Sequence, residues 1–163
     1  MPAPDGARGT QADEPRITAV RRRTRARELA LQFLYQWDQR GDEVIPELTH
    51  FVSEGDPDPS VQQFARDLVM GVIGSIESID KLIIEVAENW DIHRMAVVDR
   101  NVLRLATYEL LHLQEIPPKV SINEAIDLAK KYSTAESGAF VNGILDKIRK
   151  NCRADKDAAE PGT

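Results

Sequence analysis

Five arginines lie within seven residues of a segment that reads VRRRTRARELALQFLYQW. They are Arg21, Arg22, Arg23, Arg25 and Arg27. Apolar side chains then repeat at the spacing of one buried helical face, which predicts that the arginines stand at the start of a helix. The helix dipole disfavours each cation there by roughly 0.3–1 kcal/mol, whereas an anion would gain from the arginines and the free N–H groups. The pattern predicts a phosphate-binding helix start; its alternative is a solvated, disordered basic lead-in.

A second candidate site lies in KKYSTAESGAFVNG, where cations precede the start of another helix. Lys131 and Tyr132 offer a positive charge and a ring on which a base can stack, and Ser137 lies in the first turn of the helix that follows. Such a combination suits single-stranded nucleic acid better than a duplex. Tyr132 can equally be a residue at the edge of the core, so the cluster by itself does not establish an RNA site.

The charge and composition of the chain limit its partners and its location. The formal net charge is −6 although residues 21–27 contain five arginines, which favours a local anion site over indiscriminate polyanion binding. A single cysteine, Cys152, rules out an internal disulfide and fits a reducing compartment. No apolar run approaches the ~20 residues needed to cross a bilayer, and no signal peptide is recognisable. These features predict a cytoplasmic protein.

The helices that must position these side chains follow from the apolar spacing. Sustained strand-like alternation is lacking, so the sequence predicts an all-α fold of about seven helices in two small bundles that share an interface. The bundles span about residues 21–90 and about 91–150. Residues 1–20 are expected to be a disordered arm and residues 151–163 a flexible tail.

Three residues inside the predicted helices need an explanation. Asp99 and Glu109 project toward the apolar face of the longest helix, where a carboxylate requires a partner. We expect them to accept hydrogen bonds from neighbouring helix ends or an arginine rather than to act in catalysis. Gly143 lies in mid-helix, which predicts the close approach of another helix and a lower melting temperature for Gly143→Leu.

The sequence lacks the usual motifs of an enzyme. The sequence has no glycine-rich phosphate loop, and its three histidines have no cysteine or carboxylate at metal-ligand spacing beside them. Cys152 lacks the setting of an activated nucleophile. We therefore predict a protein without catalytic activity, metal or cofactor.

Four segments together resemble the NusB family of bacterial transcription antitermination factors: RRRTRARELALQFLYQWD, VDRNVLRLATYEL, VSINEAIDLAKKYS and FVNGILDKI. The resemblance extends from about Arg21 to Lys150. It implies an all-helical fold and binding of the boxA element in nascent ribosomal RNA transcripts. It also implies a partner, NusE, which is a small-subunit ribosomal protein, and a place in an antitermination complex on RNA polymerase. The RNA-facing regions of the family correspond to the five arginines and to residues 131–137, with Tyr132 at the aromatic position.

The resemblance places the contact with NusE on the N-terminal bundle. Leu31 and Tyr35 lie on a second face of the first helix, four residues apart. The pair could merely support the helix or form the rim of the core. An aromatic ring with a polar tip beside an aliphatic residue is also a typical anchor for a protein partner. We therefore predict that Leu31 and Tyr35 bind the partner.

Two functions of other classes remain open. One is a protein-binding helical scaffold, or a homodimer, whose arginines meet an acidic partner and which has no RNA specificity. The other is an accessory subunit of an enzyme. Titration with short single-stranded RNA separates the scaffold from the RNA-binding adaptor.

Overall fold

The computed structural model describes residues 14–88 and 90–159, and the side chains of residues 19–88 and 90–152. This part of the chain contains seven α-helices: α1 (Glu14–Arg40), α2 (Leu48–Gly55), α3 (Pro59–Gly74), α4 (Ile76–Val86), α5 (Val97–His112), α6 (Pro118–Tyr132) and α7 (Ala135–Ala159). Short 3-10 helices at Gly41–Glu47 and Ile92–Arg94 complete the order. The predicted all-α class is confirmed, and no helix in these ranges is long and apolar enough to span a membrane.

The first and last helices are longer than the sequence indicated. α1 begins at Glu14, so residues 14–20, assigned to a disordered arm, are helical. α7 continues to Ala159 through most of the segment expected to be a flexible tail. The rest of the predicted arm, residues 1–13, and residues 160–163 lie outside the described ranges. Neither extension adds a clear apolar stripe, which is why periodicity did not reveal them.

α5 is the helix around which the others pack, because it contacts α1, α3, α4, α6 and α7. Every residue from Arg100 to Thr107 is buried, including two arginines and an asparagine. The predicted boundary between the bundles lies near residue 91. α4 precedes that boundary, yet it contacts α5 and α7 more extensively than α3. The division into two bundles therefore stays a prediction, and α4 packs with the C-terminal helices.

The buried arginines of α5 are paired with carboxylates of α1 and α4. Arg104 donates from Nε and Nη2 to Asp80 at 2.8 and 2.9 Å, and from Nη1 to Asp38 at 3.0 Å. Arg100 donates from Nε to the same oxygen of Asp38 at 2.8 Å. Burial alone would raise the pKa of Asp38, but the hydrogen bonds from Arg100 and Asn101 outweigh it and lower that pKa. This network fixes three helices relative to one another, since a buried charge is costly without its partner.

The explanation proposed for Gly143 is wrong. A Cβ atom built at Gly143 would meet no atom within 4 Å, and the residue is exposed. A close approach that requires glycine occurs instead at Gly71 on α3, where a Cβ would overlap the ring of Tyr108 on α5. The position of a glycine within one helix does not reveal whether another helix packs against it.

Gly143→Ala is therefore expected to raise the free energy of unfolding by about 0.5–1 kcal/mol, because alanine loses less backbone entropy in a helix. Urea denaturation followed by circular dichroism measures the change. Gly71→Ala is the contrasting variant and should be less stable than Gly143→Ala, because the Tyr108 ring must move. A Gly143→Ala protein that unfolds more easily than wild type would contradict the open position of this glycine.

Candidate RNA interface

The arginine cluster lies inside a helix rather than at its start. Because α1 begins at Glu14, the residues from Arg21 to Arg27 occupy later turns of that helix. The backbone N–H groups there are within the body of the helix, so the predicted contribution of free N–H groups to an anion site is wrong. Any attraction for phosphate must come from the arginine side chains themselves.

Four of the five arginines reach the surface. Arg21 and Arg23 are exposed, and Arg22 and Arg25 are half-buried. The guanidinium of Arg23 lies over the ring of Phe64, 4.6 Å from its centroid, in a cation–π contact that orients it. These side chains follow α1 along the surface beside α3, where they can be reached by a polyanion.

Arg27 is buried and belongs to an ion-pair network. Only 3% of its surface is exposed, and Nε and Nη2 each donate to Glu109 at 2.8 Å. Nη1 donates to Glu124 at 3.0 Å. Burial opposes the charge of Arg27, but the hydrogen bonds and charge of Glu109 outweigh it and raise the pKa. The prediction that Arg27 is a surface ligand for RNA is therefore corrected: its donors are occupied, and it joins α1 to α5 and α6.

Each of the two core-facing carboxylates accepts at least one hydrogen bond, as expected. Glu109 accepts from Arg27 and from Ser121 Oγ at 2.8 Å, which confirms the expected arginine partner. Asp99 accepts from Ser137 Oγ at 3.1 Å through Oδ2. In the described part of the chain, Oδ1 of Asp99 is buried and has no hydrogen-bond partner.

A carboxylate on α1 joins the two predicted RNA regions. Glu28 accepts from Lys131 Nζ at 2.6 Å through Oε2 and from Arg25 Nη1 at 3.2 Å through Oε1. Burial would raise the pKa of Glu28, but the hydrogen bonds from Lys131 and Arg25 outweigh it and lower that pKa. The same hydrogen bond raises the pKa of Lys131. The arginines of α1 and the end of α6 are thereby neighbours, although the sequence separates them widely.

The remaining residues of the second cluster differ in accessibility. Lys131 is exposed and Tyr132 is half-buried, with Lys131 Nζ 5.4 Å from the centre of the Tyr132 ring. Ser137 is only 5% exposed, and its hydroxyl contacts Ser133, Thr134 and Asp99. The prediction that Ser137 contacts RNA is therefore corrected: its hydroxyl is buried in the turn between α6 and α7 and is not presented at the surface.

The predicted partner-binding pair is divided between core and surface. Leu31 is 2% exposed and lies in the hydrophobic core, so the structure corrects its assignment as a surface anchor. Tyr35 is 45% exposed and remains available. A four-residue spacing advances a helix by slightly more than one turn, and that rotation is enough to bury one residue and expose the other.

Sequence reasoning did not identify the acidic residues beside the arginines. Asp56 and Asp58 lie in the loop between α2 and α3, close to Arg25 and Arg22. In the sequence, the acidic, proline-containing segment of residues 54–59 is typical of a stop after a helix. Its charge pattern was a usable signal, but nothing along the chain placed it against α1.

The described helices define an all-α protein with a cationic surface on α1 and α6, of the kind that suits a polyanion. Within residues 14–88 and 90–159, no group of three or more histidine, cysteine or acidic side chains could hold a metal ion. The sequence pattern that defines the NusB family matches residues 24–150 of this chain. The chain therefore belongs to that family.

Relatives and solved structures agree with this assignment. A transcription antitermination protein NusB from Anaeromyxobacter dehalogenans is 51% identical over 128 residues, which are 78% of this chain and 89% of that relative. NusB from T. maritima is 45% identical with a TM-score of 0.70, covering 78% of this chain and 90% of that structure. A crystal structure of the antitermination factors NusB and NusE with double-stranded RNA contains a chain that is 35% identical to this one, with a TM-score of 0.73. The match covers 80% of this chain and 98% of that chain.

Proposed function

We propose that this protein is a transcription antitermination factor that binds single-stranded, boxA-type RNA in nascent ribosomal RNA transcripts together with NusE. It acts as a non-enzymatic adaptor in a complex on RNA polymerase. The observation that carries the proposal is the position of Glu28, which holds Arg25 of α1 beside Lys131 of α6. Because of this contact, two basic regions that are distant in sequence lie side by side.

The RNA site in this proposal comprises the accessible cations and one ring: Arg21, Arg22, Arg23, Arg25, Lys131 and Tyr132. The arginines neutralise phosphates, which supply affinity without reading the sequence. The ring of Tyr132 is half-buried, and its accessible part stacks on an unpaired base. Arg27 acts indirectly, by fixing α1 against α5 and α6.

The solved relative with NusE and double-stranded RNA makes the strandedness of the ligand the first thing to measure. Filter binding compares three ligands: a short single-stranded RNA of boxA type, a scrambled RNA of equal length and a duplex. The comparison distinguishes sequence-selective binding of a single strand from unselective electrostatic binding. Preference for the boxA-type single strand supports the proposal. Equal binding of all three would leave an electrostatic contact without selectivity.

Salt dependence tests which cations carry the binding. If three or four arginines neutralise phosphates, log K against log salt should have a slope of about −2 to −3, since each phosphate of a single strand contributes about 0.7. Replacing Arg21, Arg22 and Arg23 by alanine should flatten this slope and weaken binding. The matched control replaces three exposed cations elsewhere: Lys81, Arg94 and Lys119. If both triple variants keep the wild-type slope and affinity, the arginine cluster has no role in RNA binding.

The competing function is a protein-binding scaffold or homodimer without RNA specificity. Its distinguishing result is tight binding of NusE, or self-association, with no measurable affinity for any of the three RNAs. Size-exclusion chromatography with light scattering distinguishes the homodimer from the scaffold.

A further inference from the structure

We propose that the loop of residues 55–58 carries built-in competitors for RNA phosphate, and that Asp56 and Asp58 thereby set the affinity of the arginine cluster for RNA. The inference rests on the proposed RNA-binding function. Arg25 Nε lies 3.9 Å from Asp56 Oδ2, and Arg22 Nε lies 3.9 Å from Asp58 Oδ2. Two of the arginines assigned to phosphate therefore already face a carboxylate of this loop, and Arg25 also pairs with Glu28 at 3.2 Å.

The loop is held firmly against α1. Gly55 lies so close to Leu29 of α1 that an added Cβ would overlap the leucine side chain. This approach allows the carbonyl oxygen of Gly55 to accept a hydrogen bond from Arg25 Nη2 at 2.9 Å. Gln62 Nε2 donates to the carbonyl oxygen of Asp56 at 2.7 Å and holds the other side of the loop. The position of the two acids is thus a property of the fold and not of a freely moving loop.

Each acid also has a local structural task that does not need its charge. Asp56 Oδ1 accepts from the backbone N–H of Asp58 at 2.8 Å. Asp58 Oδ1 caps α3 by accepting from Ser60 N at 2.8 Å. Asparagine at either position would keep the one side-chain oxygen that accepts this hydrogen bond. At position 58 it is also as good as aspartate at a helix N-cap. Charge and structure can therefore be separated by substitution at these two positions.

The pairs with the loop are suited to displacement, unlike the pairs of Arg27. The side chains of Arg22 and Asp58 are 38% and 36% exposed, and their nitrogen and oxygen are 3.9 Å apart. Arg27 and Glu109 are 4% and 2% exposed and only 2.8 Å apart. An ion pair that is solvent-exposed and has a long nitrogen–oxygen distance contributes little free energy, so a phosphate can replace a loop carboxylate at modest cost. Because the arginine loses its contact with the carboxylate, the net free energy gained from each phosphate contact is smaller.

The loop acids are therefore expected to weaken non-specific binding of polyanions. A ligand that offers one or two phosphates must displace the resident carboxylates and gains little. An RNA that also stacks a base and contacts Lys131 gains enough elsewhere to overcome them. The loop therefore shifts selectivity toward ligands that use the whole surface, since phosphate contacts alone carry no sequence information.

The test uses the full chain with Asp56→Asn and Asp58→Asn together, and filter binding to the boxA-type RNA and the scrambled RNA at one salt concentration. The expected result is a gain in affinity of about three- to tenfold for both RNAs. The larger relative gain is expected for the scrambled RNA, whose binding depends more on phosphates. Circular dichroism and urea denaturation verify that the fold is retained.

The control is Glu77→Gln with Glu85→Gln, two exposed acids on α4 that change the net charge equally. It should alter affinity by less than about twofold, because exposed charges at a distance are screened by salt. An equal gain in both double variants, or no gain in the loop variant while the wild type binds RNA, would overturn this inference alone. Absence of RNA binding by every protein would overturn the proposed function with it.

Discussion

Replacing Arg27 by methionine is expected to lower the free energy of unfolding by about 3–5 kcal/mol, the usual consequence of removing one partner of a buried ion pair. Methionine fills much of the same space but cannot donate to Glu109 or Glu124. Glu109 is 2% exposed and would keep only the hydrogen bond from Ser121. Its charge would then be buried without a cation, which is the main source of the loss.

Urea denaturation at neutral pH measures this effect, and Arg25→Met is the matched control on the same helix. Arg25 is half-buried, and its partner Glu28 keeps the hydrogen bond from Lys131 at 2.6 Å when Arg25 is replaced, so the loss should be only about 1 kcal/mol. Equal destabilisation in the two variants would show that Arg27 is no more important to the fold than an arginine at the surface.

Tyr35→Asp is expected to abolish binding of NusE, because it places a charge where the Tyr35 ring is predicted to make an apolar contact with NusE. Tyr35 is 45% exposed on α1, whereas its predicted companion Leu31 lies in the core. Large rings with a polar tip are the side chains that most often dominate a protein interface. The RNA affinity of the isolated protein should change far less, since it depends on the arginines.

Isothermal titration with NusE, after circular dichroism has verified the fold, measures the loss. Tyr35→Phe keeps the ring and should retain most of the affinity. Met70→Asp is the second control, because Met70 is an equally exposed apolar side chain on α3. If folded Tyr35→Asp binds NusE as wild type does, or if Met70→Asp is equally impaired, the partner interface does not centre on Tyr35.

The candidate site could be predicted from the sequence only as a set of residues and not as an arrangement. Arg21, Arg23 and Arg27 have the same side chain and lie within two turns of one helix, yet two are exposed and one is buried. Their difference comes from Glu109, which lies 82 residues beyond Arg27 and approaches it only when α5 packs on α1. A pattern read along a single helix holds no information about such a partner.

The sequence by itself determined the helical class, the family and the cationic character of α1, but not where α1 begins or where α7 ends. Apolar spacing at three and four residues acts within one helix, so it can be read before any packing is known. The tertiary structure alone decided which charges meet. Glu28 joins Lys131 across 103 residues, and the acidic loop comes to lie against the arginines. Charge pairs of this kind depend on distances between helices, which are set by the packing of the whole core and not by any local segment.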